Sequence, residues 1–359
     1  MMDGNFTNNS DSSLNYEQLL YELACGHRSP NYYTQMILLA VFSFVGIVGN
    51  IGLLIVVWSD TNLRNTPNIL LTNLAFADLM YILVTAPIRI EHELDPCWHI
   101  GTVWCAMKQF APVVCQSACV FSLVALSRER YSAIVHGLQS RFSNRLSWTI
   151  GSLILLWIAS CLCGMPYFWF SYVNLYTCMS VVRGSLSAQI YETLRLVFLF
   201  AIPCFLIAFH YSKMAKTLLA STKTFAESNS KQFVKQNKAR SRLAYLAVTI
   251  SVFFAVFWFP SVVYQMWCHF TKNEHHFKEA RSYINTFRHV HYYMSLANSC
   301  LNPWVVFIMS SSHRRKLLKP FKCSKGKPSK SEKEAGSCST FQSTNKVTTR
   351  TIMTSQTKV

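Results

Sequence analysis

The sequence predicts an all-α membrane protein, a bundle of seven spanning helices with a short amphipathic helix on the membrane surface after the last. Three observations carry that prediction. Hydrophobic residues make up 51% of the 359 and charged residues only 14%, where a soluble domain carries about a quarter charged. Seven apolar stretches are each long enough to cross a hydrocarbon core of about 30 Å as a helix. The basic residues behind the formal net charge of +18 lie between those stretches, a pattern of basic loops on one membrane face rather than of a nucleic-acid-binding surface.

Residues 1–32 read as an extracellular tail. They are polar and made acidic by Asp3, Asp11, Glu17 and Glu22. The sequons Asn5-Phe6-Thr7 and Asn8-Asn9-Ser10 make Asn5 and Asn8 glycosylation candidates. No early apolar core marks a secretory signal, so insertion is expected to rely on the first spanning helix.

The spans fill residues 33–309: Tyr33–Trp58, Pro67–Ile88, Gly101–Val135, Leu146–Phe170, Ile190–Leu219, Ala239–Cys268 and Thr286–Met309. Only helices satisfy their own backbone in lipid, so the stretches predict a helical bundle. Arg64 follows the first span, His136, Arg141 and Arg145 the third, and eight Lys and Arg residues from Lys213 to Arg242 the fifth. The alternate loops carry Glu91, Glu93 and Asp95, then Arg183 alone, then mixed charge. The positive-inside rule therefore predicts an external amino terminus and a cytoplasmic carboxy terminus, in the plasma membrane. Residues 310–323 follow as a basic amphipathic helix, Ser310–Lys322, lying on the inner surface. Cys323 beside it is a palmitoylation candidate, a plain tail cysteine being the alternative. Residues 324–359, rich in Lys, Ser and Thr, are expected to be disordered.

Polar residues inside the spans go beyond what an anchor needs. Ser127-Arg128-Glu129-Arg130-Tyr131 closes the third. Charge there is costly unless paired at the interface. Glu129 and Arg130 offer a breakable pair, and so a switch; a cluster that only fixes topology is the alternative. Asp78 lies near mid-membrane in the second span, with Asn50, Asn298, Ser299 and Asn302 as possible partners. Pro203, Pro260 and Pro303 free backbone carbonyls and create bend points.

In this order the set resembles the rhodopsin-like G-protein-coupled receptors over about residues 33–323. It comprises Asn50, Asp78, Glu129-Arg130-Tyr131, Trp157, Pro203 with Tyr211, Phe254 with Trp258-x-Pro260, and Asn298 with Asn302-Pro303. A narrower likeness, to the bombesin, endothelin and insect CCHamide receptor branch, rests on four stretches. They are Pro67-Asn68, Thr85-Ala86-Pro87, Trp98-x-x-Gly101-x-x-x-Cys105 and Ala297-Asn298-Ser299-Cys300-x-Asn302-Pro303. The resemblance implies a receptor for an extracellular neuropeptide, working through heterotrimeric G proteins. It implies an activation switch at Asn50, Asp78, Tyr211, Phe254, Trp258, Pro260, Asn298, Asn302 and Pro303. G-protein coupling would fall to Glu129, Arg130 and Tyr131, with Leu138 as an apolar knob and Arg240 among the basic contacts. A disulfide between Cys105 and Cys178 is also implied, and some relatives suggest a second between Cys25 and Cys268, for which Cys97 competes.

The sequence departs from the family pattern at four places. The seventh-span motif ends in Phe307 rather than Tyr, Phe257 stands where Cys is common, and Arg240 stands where some members carry an acid. Cys119 stands where many carry Ser near a sodium ion, and a thiol is a poor ligand for hard Na⁺, so sodium beside Asp78 stays open. No other metal and no cofactor is expected. Histidines 269, 275, 276, 289 and 291 fit no standard zinc spacing.

Amine receptors place an Asp where this chain has Pro112, so an amine ligand is excluded. Arg89, Glu91, Gln109, Gln116, Glu192, Arg195, Gln265, Arg288 and His289 instead offer mixed charge suited to a peptide. In the bombesin-like branch an acid is common where Arg89 stands, so Arg89 either meets an acidic group of the ligand or snorkels to water. Tail serines and threonines such as Ser337, Thr340 and Thr348 are candidate kinase targets that would engage arrestin. Thr357-Lys358-Val359 has the form of a PDZ ligand. A transporter would show internal repeats, and an enzyme a nucleophile or metal constellation; neither is present in the sequence. The competing reading is a constitutively active or non-peptide-ligand receptor of the same fold.

Overall fold

Each of the seven apolar stretches forms a helix, the one conformation that pairs every backbone group without water. The computed structural model describes residues 32–95, 97–135, 145–174, 177–179, 185–225, 231–270 and 281–318. Asn5, Asn8, Cys25, Leu138, Cys323 and the whole tail fall outside them, and Arg240 is placed by its backbone alone.

Helix α1 is Tyr32–Trp58. After a single turn at Thr61–Leu63, α2 runs Thr66–Leu94 and α3 Thr102–Val135. Asn65 starts α2, its side chain accepting from the Asn68 N–H at 3.2 Å, with Pro67 in the first turn. The expected end at Ile88 is overrun by six residues. The Arg89–Glu93 ion pair, one turn apart at 2.5 Å, lets a charged stretch stay helical.

The fourth span is α4, Arg145–Gly164, followed by the short α5, Pro166–Phe170. A hairpin then pairs β1, Tyr172–Asn174, antiparallel to β2, Thr177–Met179. Cys178 on β2 bonds to Cys105 at the start of α3, with their Cα atoms 5.5 Å apart. That end of the bundle is called the disulfide end below.

The fifth span is α6, Leu186–Leu196, a π turn over Val197–Ala201, and α7, Ile202–Phe225. Pro203 accounts for the turn: its ring has no N–H and crowds the carbonyl four residues back, at Leu199, inside the turn. Helix α8 is Lys231–Phe270, longer than expected at both ends, and α9 is Arg281–Met309. Helix α10 covers Ser311–Leu317.

Among the described residues six spans are long and apolar enough by composition to cross a membrane; α9 is the exception. It carries Arg288, His289 and His291, and turns Ser295, Asn298, Ser299 and Asn302 into the bundle interior. Large apolar residues such as Phe44, Trp148, Leu155, Phe205 and Ile308 are exposed on the outer surface, which suits a bundle bathed in lipid.

Small residues bring α1 against α2 and α9. A Cβ on Gly46 would stand 2.5 Å from Ile82 and 2.8 Å from the Cys300 sulfur, and one on Gly49 2.7 Å from Pro303. Such approach is how helices gain packing where lipid removes the hydrophobic drive. At the opposite end, Lys316 of α10 pairs with Asp60 at 2.6 Å. His313 is buried, its Nδ1 2.7 Å from the Ser310 hydroxyl. Burial pushes this imidazole below its ordinary pKa.

Candidate functional site

A cavity of about 530 Å³ opens among the spans toward the disulfide end and reaches inward to Tyr81 and Trp258. Of the nine predicted ligand residues, Arg89, Gln109, Gln116, Arg195, Gln265 and Arg288 line it. Glu91, Glu192 and His289 do not: among the described residues the wall of this cavity carries cations and no carboxylate, while Glu192 lines a small pocket that shares Gln116, Arg195 and Gln265 with it. Glu192 stands behind Arg195, whereas Glu91 pairs with no arginine among the described residues.

Arg195 is the hub of the first such group. Its Nη1 donates to Glu192 at 2.8 Å and to the Tyr167 hydroxyl at 2.8 Å, and also reaches Gln265. Its Nη2 donates to Gln116 at 3.3 Å. Tyr167 in turn donates to Glu192 at 2.9 Å. One guanidinium thus joins α3, α5, α6 and α8, and Glu192, only 2% exposed, is not an isolated buried charge. Arg89 is held in the same way by Glu93, with its Nη2 2.8 Å from His289 Nδ1 and its guanidinium 5.2 Å from the centre of the Tyr292 ring.

Sequence reasoning missed Lys108, Tyr167, His92 and Tyr292, which share this wall. Lys108 had a signal: it is an ionisable residue in an apolar run, three positions past Cys105. Tyr167 and Tyr292 had none, since a Tyr in a span is ordinarily packing or interface.

Trp98 folds the rim, its indole donating to the Gly101 carbonyl at 2.8 Å. Gly101 has φ 86°, a backbone that side chains rarely tolerate. The Cys25–Cys268 alternative is overturned: Cys268 is buried and in no disulfide, and Cys97 is disulfide-bonded. Of the five outer histidines, 275 and 276 fall outside the described residues, and the others join no metal-like group. The one close trio among the described residues is Asp95, Cys97 and His99, whose cysteine is already in a disulfide.

Inward of the cavity lies a second polar centre. Trp258 packs against Phe254 and Tyr81 with ring centres at 6.2 and 5.9 Å. Asp78, fully buried, accepts from Asn302 at 2.8 Å and from the Cys119 thiol at 3.5 Å. Asn50 donates to the Ser299 carbonyl of α9 and to Gly46, both at 2.9 Å. The Trp157 indole donates to Asn73 at 2.9 Å, and Asn73 to Ser122 at 2.8 Å, tying α4, α2 and α3 together. Several atoms here have no hydrogen-bond partner: Asn50 Oδ1, Asn298 Oδ1, Asn302 Oδ1 and Trp258 Nε1. Pro260 and Pro303 lie inside α8 and α9 one turn or less from this centre.

At the far end of α3 the expected Glu129–Arg130 ion pair is absent. Consecutive helical residues point about 100° apart and do not face each other. Arg130 makes no ion pair among the described residues, and its Nε is buried without a partner, as is the Tyr211 hydroxyl. Tyr131 instead stacks on His210 of α7 at 5.4 Å, and the Ser127 hydroxyl lies 2.9 Å from His210 Nδ1. His210 was not singled out from the sequence, a lone histidine inside a span carrying no pattern.

Comparison with known proteins agrees with this layout. A family model described as the seven-transmembrane receptor of the rhodopsin family matches residues 49–305. Bombesin receptor subtype-3 of Ovis aries is 28% identical over 310 residues, covering 80% of this chain and 75% of the relative. The neuropeptide CCHamide-1 receptor of Drosophila melanogaster is 29% identical over 305 residues, covering 80% of this chain and 60% of the relative.

Proposed function

The chain belongs to the rhodopsin family of seven-transmembrane receptors, and from that premise we propose that it binds an extracellular peptide and passes the event to a heterotrimeric G protein. The observation that carries the reading is the cavity itself: a multi-helix pocket of mixed polar and apolar lining that ends on Trp258. The names of the bombesin and CCHamide receptor relatives support a peptide.

Binding favours one of two bundle arrangements and shifts the population toward it. Trp258 and Phe254 repack beside the Pro260 bend, and the α8 end nearest Arg130 swings outward. The Asp78 centre offers the partners to re-pair as α9 moves. Arg130, Tyr131, Leu138 and the basic residues around Arg240 then meet the G protein. This assigns the disulfide end to the outside and the α10 end to the cytoplasm, where kinases, arrestin and a PDZ protein would meet the tail. An impermeant reagent that labels the 226–230 segment from outside intact cells overturns that orientation.

Arg130→Ala is expected to abolish G-protein activation while leaving ligand binding intact. Radioligand or fluorescent-peptide binding and nucleotide exchange, measured on the same cells, check it; full activation by the variant refutes the assignment.

One observation favours the second reading, a receptor with basal activity. Among the described residues Arg130 has no ion pair to hold it in a resting position, and its Nε is buried without a partner. Second-messenger output without ligand, compared with cells lacking the receptor, decides between the two.

A further inference from the structure

The cavity wall is chemically one-sided. Arg89, Lys108, Arg195 and Arg288 line it, and no carboxylate does among the described residues. Two of the four are compensated from behind, Arg89 by Glu93 and Arg195 by Glu192. Arg288 and Lys108 have no ion-pair partner among the described residues. Lys108 rests over the Trp98 ring at 4.8 Å. Glu91, the acid whose field reaches Lys108, makes no ion pair with it and lies off the wall. Arg288 and Lys108 also repel each other and Arg89.

The hydrogen-bond inventory points the same way. Arg89, Arg195 and Arg288 each keep a buried Nε–H with no acceptor. Those Nε–H groups have almost no exposed surface; what faces the cavity is three guanidiniums and one ammonium, donors without acceptors, and such a wall favours a ligand that brings acceptors and negative charge.

We propose that the group the ligand buries in this cavity is a carboxylate, gripped by Arg288 with Lys108 beside it. The inference rests on the peptide-receptor reading above and narrows it to peptides that present a free carboxyl terminus or an acidic side chain at their buried end. Arg288 takes the anion in the two-pronged geometry that suits carboxylates, and Lys108 adds a point charge.

The test uses the full chain at the surface of cultured cells. One synthetic peptide library is made in four matched forms: free or amidated carboxyl terminus, each with or without Asp and Glu. Calcium flux through a promiscuous G-protein α-subunit is the readout, and an antibody tag reports surface level. Forms that carry a carboxylate are expected to be about 30-fold more potent than amidated forms without acids, the size of a lost charge-assisted hydrogen bond. Arg288→Gln should erase that gap, and Arg288→Lys, which keeps the charge but not the two-pronged geometry, should keep only part of it. A gap that follows the terminus identifies the α-carboxylate as the source; one that follows Asp and Glu identifies a side chain. Both support the proposal. Should Arg288→Gln fail to reach the surface, Lys108→Gln carries the same comparison, with an expected loss of about tenfold. Equal potency of all four forms, or a gap untouched by either variant, overturns the proposal.

Silence from every form counts against peptide gating, and a second measurement then decides the anion site on its own. Small aliphatic and aromatic carboxylic acids are titrated into purified receptor. A rise in melting temperature that Arg288→Gln removes upholds the carboxylate site without a peptide; no rise overturns it.

Discussion

The two buried polar centres of this bundle are built to opposite rules. Around Arg195, nearer the disulfide end, the charge is answered: one guanidinium is shared by Glu192, Tyr167, Gln265 and Gln116 across four helices, with only its Nε–H unmet. Around Asp78, deeper in, side chains from α1, α2, α3 and α9 meet, yet three asparagine oxygens and the Trp258 N–H go unpaired. An unmet buried group costs about 1–3 kcal/mol. The outer centre is therefore expected to fix a shape, and the inner one to sit in an arrangement it can leave, because another arrangement can pair what this one does not.

The largest expected effect falls on the outer centre. Glu192→Ala strips the counter-charge from a buried arginine and should cost about 3–5 kcal/mol of stability. Thermal unfolding of purified receptor measures it, and Glu192→Ala with Arg195→Met should recover much of the loss. A small effect would show that the outer centre is not what holds these four helices.

Asp78→Asn probes the inner centre. It keeps an acceptor for Asn302 while removing the charge, so the melting change is expected to stay within about 1.5 kcal/mol of either sign. Ligand-driven nucleotide exchange should change several-fold. A stability loss as large as that of Glu192→Ala would erase the contrast.

Trp157→Phe tests the fully paired edge of the inner centre. It leaves Asn73 Oδ1 without its donor and should cost about 1 kcal/mol in the same melt, with little change in signalling. A signalling effect larger than that of Asp78→Asn would move the switch to the Asn73 side.

The smallest effect belongs to α10. Burial depresses the His313 pKa, so its contribution to docking is fully present above about pH 6.5 and is lost as pH falls below that value toward the depressed one. Hydrogen exchange over Ser311–Leu317 should speed up on acidification, and His313→Asn should flatten the dependence. Exchange that slows as pH falls, after correction for its intrinsic pH dependence, would contradict it.

Much of this architecture was legible from composition and order alone. Hydrophobic runs located the spans, and Asn50, Asp78 and Asn302 were recognisable as one group because polar residues in lipid need each other. Where legibility failed, pairing in space was the reason. The α2 end was hidden because hydropathy falls at Arg89, while the Arg89–Glu93 bridge that sustains the helix is invisible to hydropathy. Glu192 reads as a ligand contact because a sequence cannot say which side of an arginine an acid stands on. Adjacent letters suggested a Glu129–Arg130 pair, but neighbouring helical residues do not face each other and the pair is not formed. The Cys97 bond was offered only as a competitor, since spacing does not rank pairings of outer cysteines.

The π turn at Val197–Ala201 bears on how this span tolerates length changes. An added residue in one turn offsets the faces of the two half-helices by about 100°. The α6 half can thus be clocked to suit Arg195 while the α7 half is clocked to suit His210 and Tyr211. Deleting one residue within Val197–Ala201 would re-phase the two halves without touching either, swinging Arg195 out of reach of Gln116 and Gln265. Length there is a setting of rotation, and a single codon gained or lost would mistune one end of the span relative to the other.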